Sequence, residues 1–270
     1  MRIMKTLLCL LLALLTLCAA AAAEDAGEAA LRGYDKKEGY VYLTLGKYPQ
    51  TKEGEELPIL WRVLSVEDGR ALLLSEYVLE ARPIHGDYKE YANKPTHKTK
   101  PGISGDFAKT DMSIYLCGEF AYGSFAPGEL ALIRADEALG QFFLLSGDEL
   151  KNKAYGFDSN ESRKAWGTDY AKANGLFTYM ANRGRHSPYW TRSQSTSNAQ
   201  AARCTKSKGE LGYYNVAQTD IGMRPACWLD TDKAFIISGS GTMEEPFVLL
   251  TDEIAAPADP ILDKTDPAAE

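Results

Sequence analysis

The chain has 270 residues, a formal net charge of −7 and a pI near 5.2. Its 30 basic residues are scattered among 37 acidic ones, so there is no basic stripe to follow a phosphate backbone, and nucleic acid is excluded as a partner. The three histidines, His85, His97 and His186, stand apart from one another and from any Cys-x-x-Cys pair, and no metal site or cofactor motif is expected.

In chain order, residues 1–23 read as a secretory signal. Arg2 and Lys5 precede an apolar run from Leu7 to Leu17, and Ala21, Ala22 and Ala23 supply a small-residue cleavage site before Glu24. The run is shorter than the ~20 apolar residues that span a bilayer. The mature chain is therefore expected to begin at Glu24, to be secreted or extracytoplasmic, and to carry no transmembrane span. Leu17 ahead of Cys18 is too bulky for lipid attachment at that cysteine. Residues 24–38, rich in Ala, Glu, Asp and Lys, are expected to be disordered. A single domain is expected over 39–250, followed by a disordered tail over 251–270 that is rich in Pro, Ala and Asp.

Within the domain, Tyr40 to Leu45 form a strand closed by Gly46 and Pro49. Leu57 to Val66 and Arg70 to Ser75 form a hairpin turned at Glu67, Asp68 and Gly69, because Asp-Gly accepts the positive φ of a tight turn. Residues 81–109 lose all periodicity and read as a long loop. Thr110 or Asp111 caps a helix to about Tyr122, with Met112, Tyr115, Leu116 and Phe120 on one face. Pro127 opens a short helix over 129–135. Gln141 to Leu145 is a buried strand, Ser146 and Glu149 make a capping box for another short helix, and Thr168 caps a helix over 169–174 that Gly175 ends. Further strands are expected at 176–181, 188–193, 199–205, 212–217, 222–229 and 246–250. The Gly-rich turn at 238–242 is not a phosphate loop, since no Lys-Ser/Thr pair and no helix follow it.

Loops carry recognition while strands carry packing. The polar segment Gln194 to Gln200, with Asn198 in it and Tyr213 and Tyr214 nearby, has the Tyr, Ser and Asn composition of adaptable binding surfaces. Alternation puts Trp190 and Arg192 on one face of their strand and Tyr189 and Thr191 on the other. Trp190, Arg192, Asn198, Tyr213 and Tyr214 are thus the candidate ligand-contact residues, and no catalytic residue is assigned. The competing roles are structural: a solvated turn at 194–200, a half-buried tyrosine pair, and Arg192 or Arg224 as a pin between strands near a buried Trp190 ring. Of the cysteines beyond the signal, Cys204 and Cys227 are expected to lie close enough to bridge, leaving Cys117 free. A Cys117 to Cys227 bridge is the alternative, and isolated cysteines also serve as small buried hydrophobes.

Several segments in this order resemble a bacterial family known as domain of unknown function 6273. They are LGKYPQT from Leu45, WRVL from Trp61, ALLLSE from Ala71, SIYL from Ser113 ahead of Phe120 and Phe125, FLLS from Phe143, YWTRS from Tyr189 and GMRPACWL from Gly222, together covering about residues 40–250. The resemblance implies an α+β fold of C-type-lectin-like type, with a twisted, mostly antiparallel sheet, two main helices and long loops carrying recognition. Tyr115 and Cys117 depart from the family's Trp-Leu-Asn, and Thr191 stands where the family has an aromatic or Leu. The distantly similar formylglycine-generating oxidases need two closely spaced copper-binding cysteines. Cys204 and Cys227 share no such motif, and Glu245-Pro246 lacks the amide of a calcium-lectin loop. The expectation is an exported, non-enzymatic binding or display module for an extracellular glycan or protein at the cell surface. The alternative is an enzyme modifying a surface glycan or peptide on the same fold.

Overall fold

The computed structural model describes residues 31–92, 103–179 and 186–251. The expected signal at 1–23, the start of the lead-in at 24–30 and the tail from 252 onward lie outside the described residues. Of the stretch expected to be disordered, residues 31–34 pack against the domain and 35–38 form an exposed turn. Leu31 is buried, the Tyr34 amide donates to the Leu64 carbonyl at 3.1 Å, and Asp35 and Gly39 exchange two backbone hydrogen bonds. One leucine among charged residues supplies this anchor, too little for a composition argument to register.

The architecture is mixed α+β and rich in sheet. β1 (Tyr42–Pro49), β2 (Glu56–Glu67) and β3 (Arg70–Ser75) form an antiparallel meander. The β2–β3 turn has Asp68 at φ 51° and Gly69 at φ 68°, the left-handed pair that matches strand twist in a two-residue hairpin. β1 runs past Gly46, which sits where the register slips between Thr44 and Lys47, its amide donating to Glu129 Oε1 at 2.9 Å. After β4 (Glu80–Ala81), α1 (Tyr88–Ala92) lies within the long loop.

The expected main helix is present and is capped as its sequence implies: Thr110 Oγ1 accepts from the Ser113 amide at 3.2 Å. α2 (Asp111–Tyr115) continues through a π-helical turn, Leu116–Phe120, into α3 (Ala121–Ser124). Its large buried side chains are Met112, Leu116 and Phe120, with Ser113, Ala121 and Ser124 buried beside them. Phe120, Phe125, Phe142 and Trp61 form one aromatic cluster with centroids from 4.6 Å for Phe125–Phe142 to 6.5 Å for Trp61–Phe142, each such pair contributing about 0.5–1.5 kcal/mol beyond its burial.

α4 (Pro127–Leu130) is shorter than expected because the chain turns at once into β5 (Ile133–Arg134). β6 (Phe142–Phe143) is the paired part of the apolar run at 141–145. α5 (Asn160–Arg163) and α6 (Asp169–Ala173) follow, the latter capped by Thr168 Oγ1. Residues 176–179 form no strand, and 180–185 lie outside the described residues.

β7 (Tyr189–Gln194), β8 (Ala201–Thr205), β9 (Leu211–Asn215), β10 (Gly222–Met223), β11 (Ala226–Asp230), β12 (Ile236–Ser238) and β13 (Phe247–Leu249) complete the fold. One sheet has the order β12-β13-β1-β2-β3-β11-β5, with β6 also on β11; the other runs β4-β10-β7-β8-β9. The strand expected at 222–229 is split between these sheets at Arg224 and Pro225. Proline has no N–H to continue a ladder, and Arg224 is buried at the crossing, its Nε donating to the Ser75 carbonyl at 2.8 Å and its guanidinium 5.0 Å from the Tyr189 ring centre. Burial pulls the Arg224 pKa below its ordinary value.

This crossing overturns the expected disulfide. Cys204 lies on β8 in the smaller sheet and Cys227 on β11 in the larger, and Cys117, Cys204 and Cys227 are all free. Burial pushes the Cys204 thiol up to about 12 and raises Cys227 as well. Side chains of both sheets join one hydrophobic core. Among the described residues no helix is long and apolar enough to cross a membrane.

Candidate functional site

The smaller sheet presents a cleft of about 530 Å³, floored by Arg192, Ser193, Gln194, Arg203 and Tyr213 and walled by the segments at 105–108, 138–139 and 146–148. Strand register sets its centre. Arg203 on β8 lies directly opposite Tyr213 on β9, and its Nη2 donates to the Tyr213 hydroxyl at 3.2 Å while its Cζ stands 5.5 Å from the ring centre. Such cross-strand neighbours are close enough to interact as a unit.

The wall at 144–149 is fastened along β7. The Arg192 amide donates to the Leu145 carbonyl at 3.1 Å, its Nη1 donates to the Leu144 carbonyl at 2.7 Å and to Glu149 Oε2 at 2.5 Å, and its Nη2 donates to Glu149 Oε1 at 3.0 Å. Glu149 also completes the expected capping box: its Oε2 accepts from the Ser146 amide at 2.5 Å and its own amide donates to Ser146 Oγ at 3.1 Å. Burial would raise the Glu149 pKa, but the hydrogen bonds and charge of Arg192, with the Ser146 amide, outweigh it and hold the carboxyl below its usual range.

Next to this clamp the Gly147 amide donates to Ser193 Oγ at 2.9 Å. A Cβ at Gly147 would lie 2.2 Å from Arg203 Cδ, so only glycine lets the arginine stem cross the backbone here and aim its guanidinium between Tyr213 and Asp148. The Arg203 to Asp148 separation is 3.6 Å, and Asp148 is held more closely by Lys151 at 2.9 Å. That hydrogen bond, the Lys151 charge and Arg203 keep the Asp148 pKa below its usual range. On the opposite wall, Gln194 Nε2 donates to Ser104 Oγ, and Asp106 pairs with Lys109 at 2.7 Å.

The five candidate residues part company. Tyr213 is 39% exposed and lines the cleft; Arg192 lines it too, with its guanidinium committed to Glu149 and Leu144. Tyr214, on the other face of β9, packs against the core, and burial raises its phenol pKa. Trp190 is 1% exposed and its Nε1 donates to the Arg82 carbonyl at 2.8 Å, so backbone rather than Arg192 or Arg224 satisfies the ring. Asn198 is exposed in the turn after β7, where its Oδ1 accepts from the Gln200 amide at 3.0 Å and its amide donates to Ser195 Oγ at 3.1 Å. Arg203, Ser193 and Asp148 are cleft residues that the candidate set lacks. A signal for Arg203 existed: a hairpin closed by Lys206 and Glu210 puts 203 opposite 213.

Elsewhere a cleft of about 510 Å³ lies beside Trp166, Tyr77 and Met243 and another of about 650 Å³ between Tyr40 to Tyr42 and the 240–244 turn. Among the described residues no group of three His, Cys, Asp or Glu side chains is placed to hold a metal ion.

A family model described as a domain of unknown function (DUF6273) matches residues 134–231. The match contains the FLLS, YWTRS and GMRPACWL segments and every part of the cleft except the 105–108 wall. The motifs at 45–51, 61–64, 71–76 and 113–116 lie before it. No curated protein and no solved structure significantly matches the chain.

Proposed function

We propose that the protein is an exported binding module of C-type-lectin-like type that recognises a glycan or protein ligand at the bacterial cell surface through the cleft beside β7, β8 and β9. Support for export comes from the leader pattern of residues 1–23. The observation that carries the recognition reading is the pairing of Tyr213 with Arg203 on adjacent strands. A 39% exposed ring stands beside a guanidinium in a cleft edged by hydroxyl and amide side chains. A rigid aromatic surface with adaptable polar neighbours is the chemistry of binding surfaces, and a site carried on strands holds its geometry better than one carried on loops.

The test is binding of the purified protein to arrayed glycans and to cell-surface extracts, with Tyr213→Ala, Arg203→Ala and Gly147→Ala as variants. The glycine variant displaces the Arg203 stem without removing it. All three are expected to lose the interaction detected for the wild type while melting within a few degrees of it. Undiminished binding by all three would refute the cleft as the site, and a wild type that binds nothing would count against the module reading.

A further inference from the structure

We propose that the ligand of this cleft is an acidic saccharide, its carboxylate seated on Arg203 and its ring against Tyr213; this rests on the glycan form of the recognition reading above. The chain is acidic overall, with a net charge of −7, yet the charges around the cleft pair off locally. Arg192 is joined to Glu149 through both terminal nitrogens, Asp106 to Lys109 at 2.7 Å and Asp148 to Lys151 at 2.9 Å. Of the described charged side chains that line the cleft, Arg203 is the one with no opposite charge closer than 3.6 Å. Its polar neighbours are the neutral Tyr213 hydroxyl and, at 3.6 Å, an Asp148 side chain that is 85% exposed and already held by lysine.

An exposed ion pair of that kind is weak, so an arriving carboxylate displaces it at little cost. The guanidinium fork matches a carboxylate with two parallel N–H donors, a geometry that lysine cannot reproduce. The other polar groups suit an uncharged remainder. Ser193 Oγ already accepts from the Gly147 amide and keeps a hydroxyl proton to donate, and Thr196 stands exposed at the mouth. The volume of about 530 Å³ falls within the usual ~300–1,000 Å³ of small-molecule sites.

The experiment is calorimetric titration of the protein with three probes: a trimer of galacturonic acid, the same trimer as its methyl ester, and sialyllactose. Wild type is expected to bind at least one of the acids, the galacturonate trimer about tenfold or more tighter than its ester if that is the one, and to weaken as salt is raised. Arg203→Gln should erase the preference, and Arg203→Lys should restore only part of it, with melting unchanged in both. Equal binding of acid and ester overturns the acidic-ligand inference and leaves the cleft as a glycan site. If no acid binds, the inference falls, and titration with neutral oligosaccharides then decides separately whether the glycan reading falls with it.

Discussion

Glu149 clamps Arg192 in a two-point ion pair, 2.5 Å and 3.0 Å, while the same carboxylate accepts the Ser146 amide and so holds the cleft wall against β7. Both side chains are about one-fifth to one-quarter exposed, which is dry enough for the loss of one partner to strand the other. Arg192→Lys keeps the charge and loses the fork, and Glu149→Gln keeps the shape and loses the charge. Each is expected to destabilise the fold by about 2–4 kcal/mol. Urea unfolding checks this, and midpoints equal to wild type would show the clamp to be dispensable.

The clamp also sets a pH dependence. The folded-state pKa of Glu149 lies below its unfolded value, so the pair's contribution is complete above the unfolded pKa and disappears as pH falls through the folded one. The stability gap between wild type and Glu149→Gln is therefore expected to be flat from about pH 7 to about pH 5 and to close below about pH 4. A gap that widens on acidification would contradict the sign.

Trp190 is a core residue whose ring N–H is satisfied by the Arg82 carbonyl. Trp190→Phe removes that donor from a part-buried carbonyl, a loss of about 1 kcal/mol, and Trp190→Ala is expected to cost about 3–5 kcal/mol. Ligand binding by Trp190→Phe should stay within about twofold of wild type. A large loss of affinity at unchanged stability would return this residue to the site.

What could be read from sequence follows the range over which each interaction acts. The Asp68-Gly69 turn, the Thr110 and Thr168 caps and the Ser146–Glu149 box are legible because each is a hydrogen bond or a backbone angle closed within a few residues. The two-residue strands β4 and β5 are not, since their partners alone define them, and neither is the change of sheet at Arg224. Alternation cannot distinguish a strand covered on one face from one covered on both; Tyr189, Trp190 and Thr191 are all buried. Tyr213 was within reach of composition, whereas Arg203 needed the hairpin register as well.

The cysteines make a prediction about covalent state. With all three free and Cys204 and Cys227 on different sheets, alkylation of the unfolded, unreduced protein should label Cys117, Cys204 and Cys227 alike. In the native protein Cys204 and Cys227 should resist iodoacetamide, because they are buried and their thiolate forms are disfavoured. A mass lower by two alkyl groups in the unfolded sample would reveal a bridge and contradict the three free thiols.

Recognition by the β7–β9 cleft is most directly tested by following backbone amide resonances of the labelled protein as the galacturonate trimer or sialyllactose is added. The expected result is saturable shifts at Ser193, Gln194, Thr196, Arg203 and Tyr213, which line the cleft, with Trp166, Tyr77 and Met243 of the second cleft unmoved. Shifts centred on Trp166 and Met243, or none at Arg203 and Tyr213 at saturation, would place recognition elsewhere.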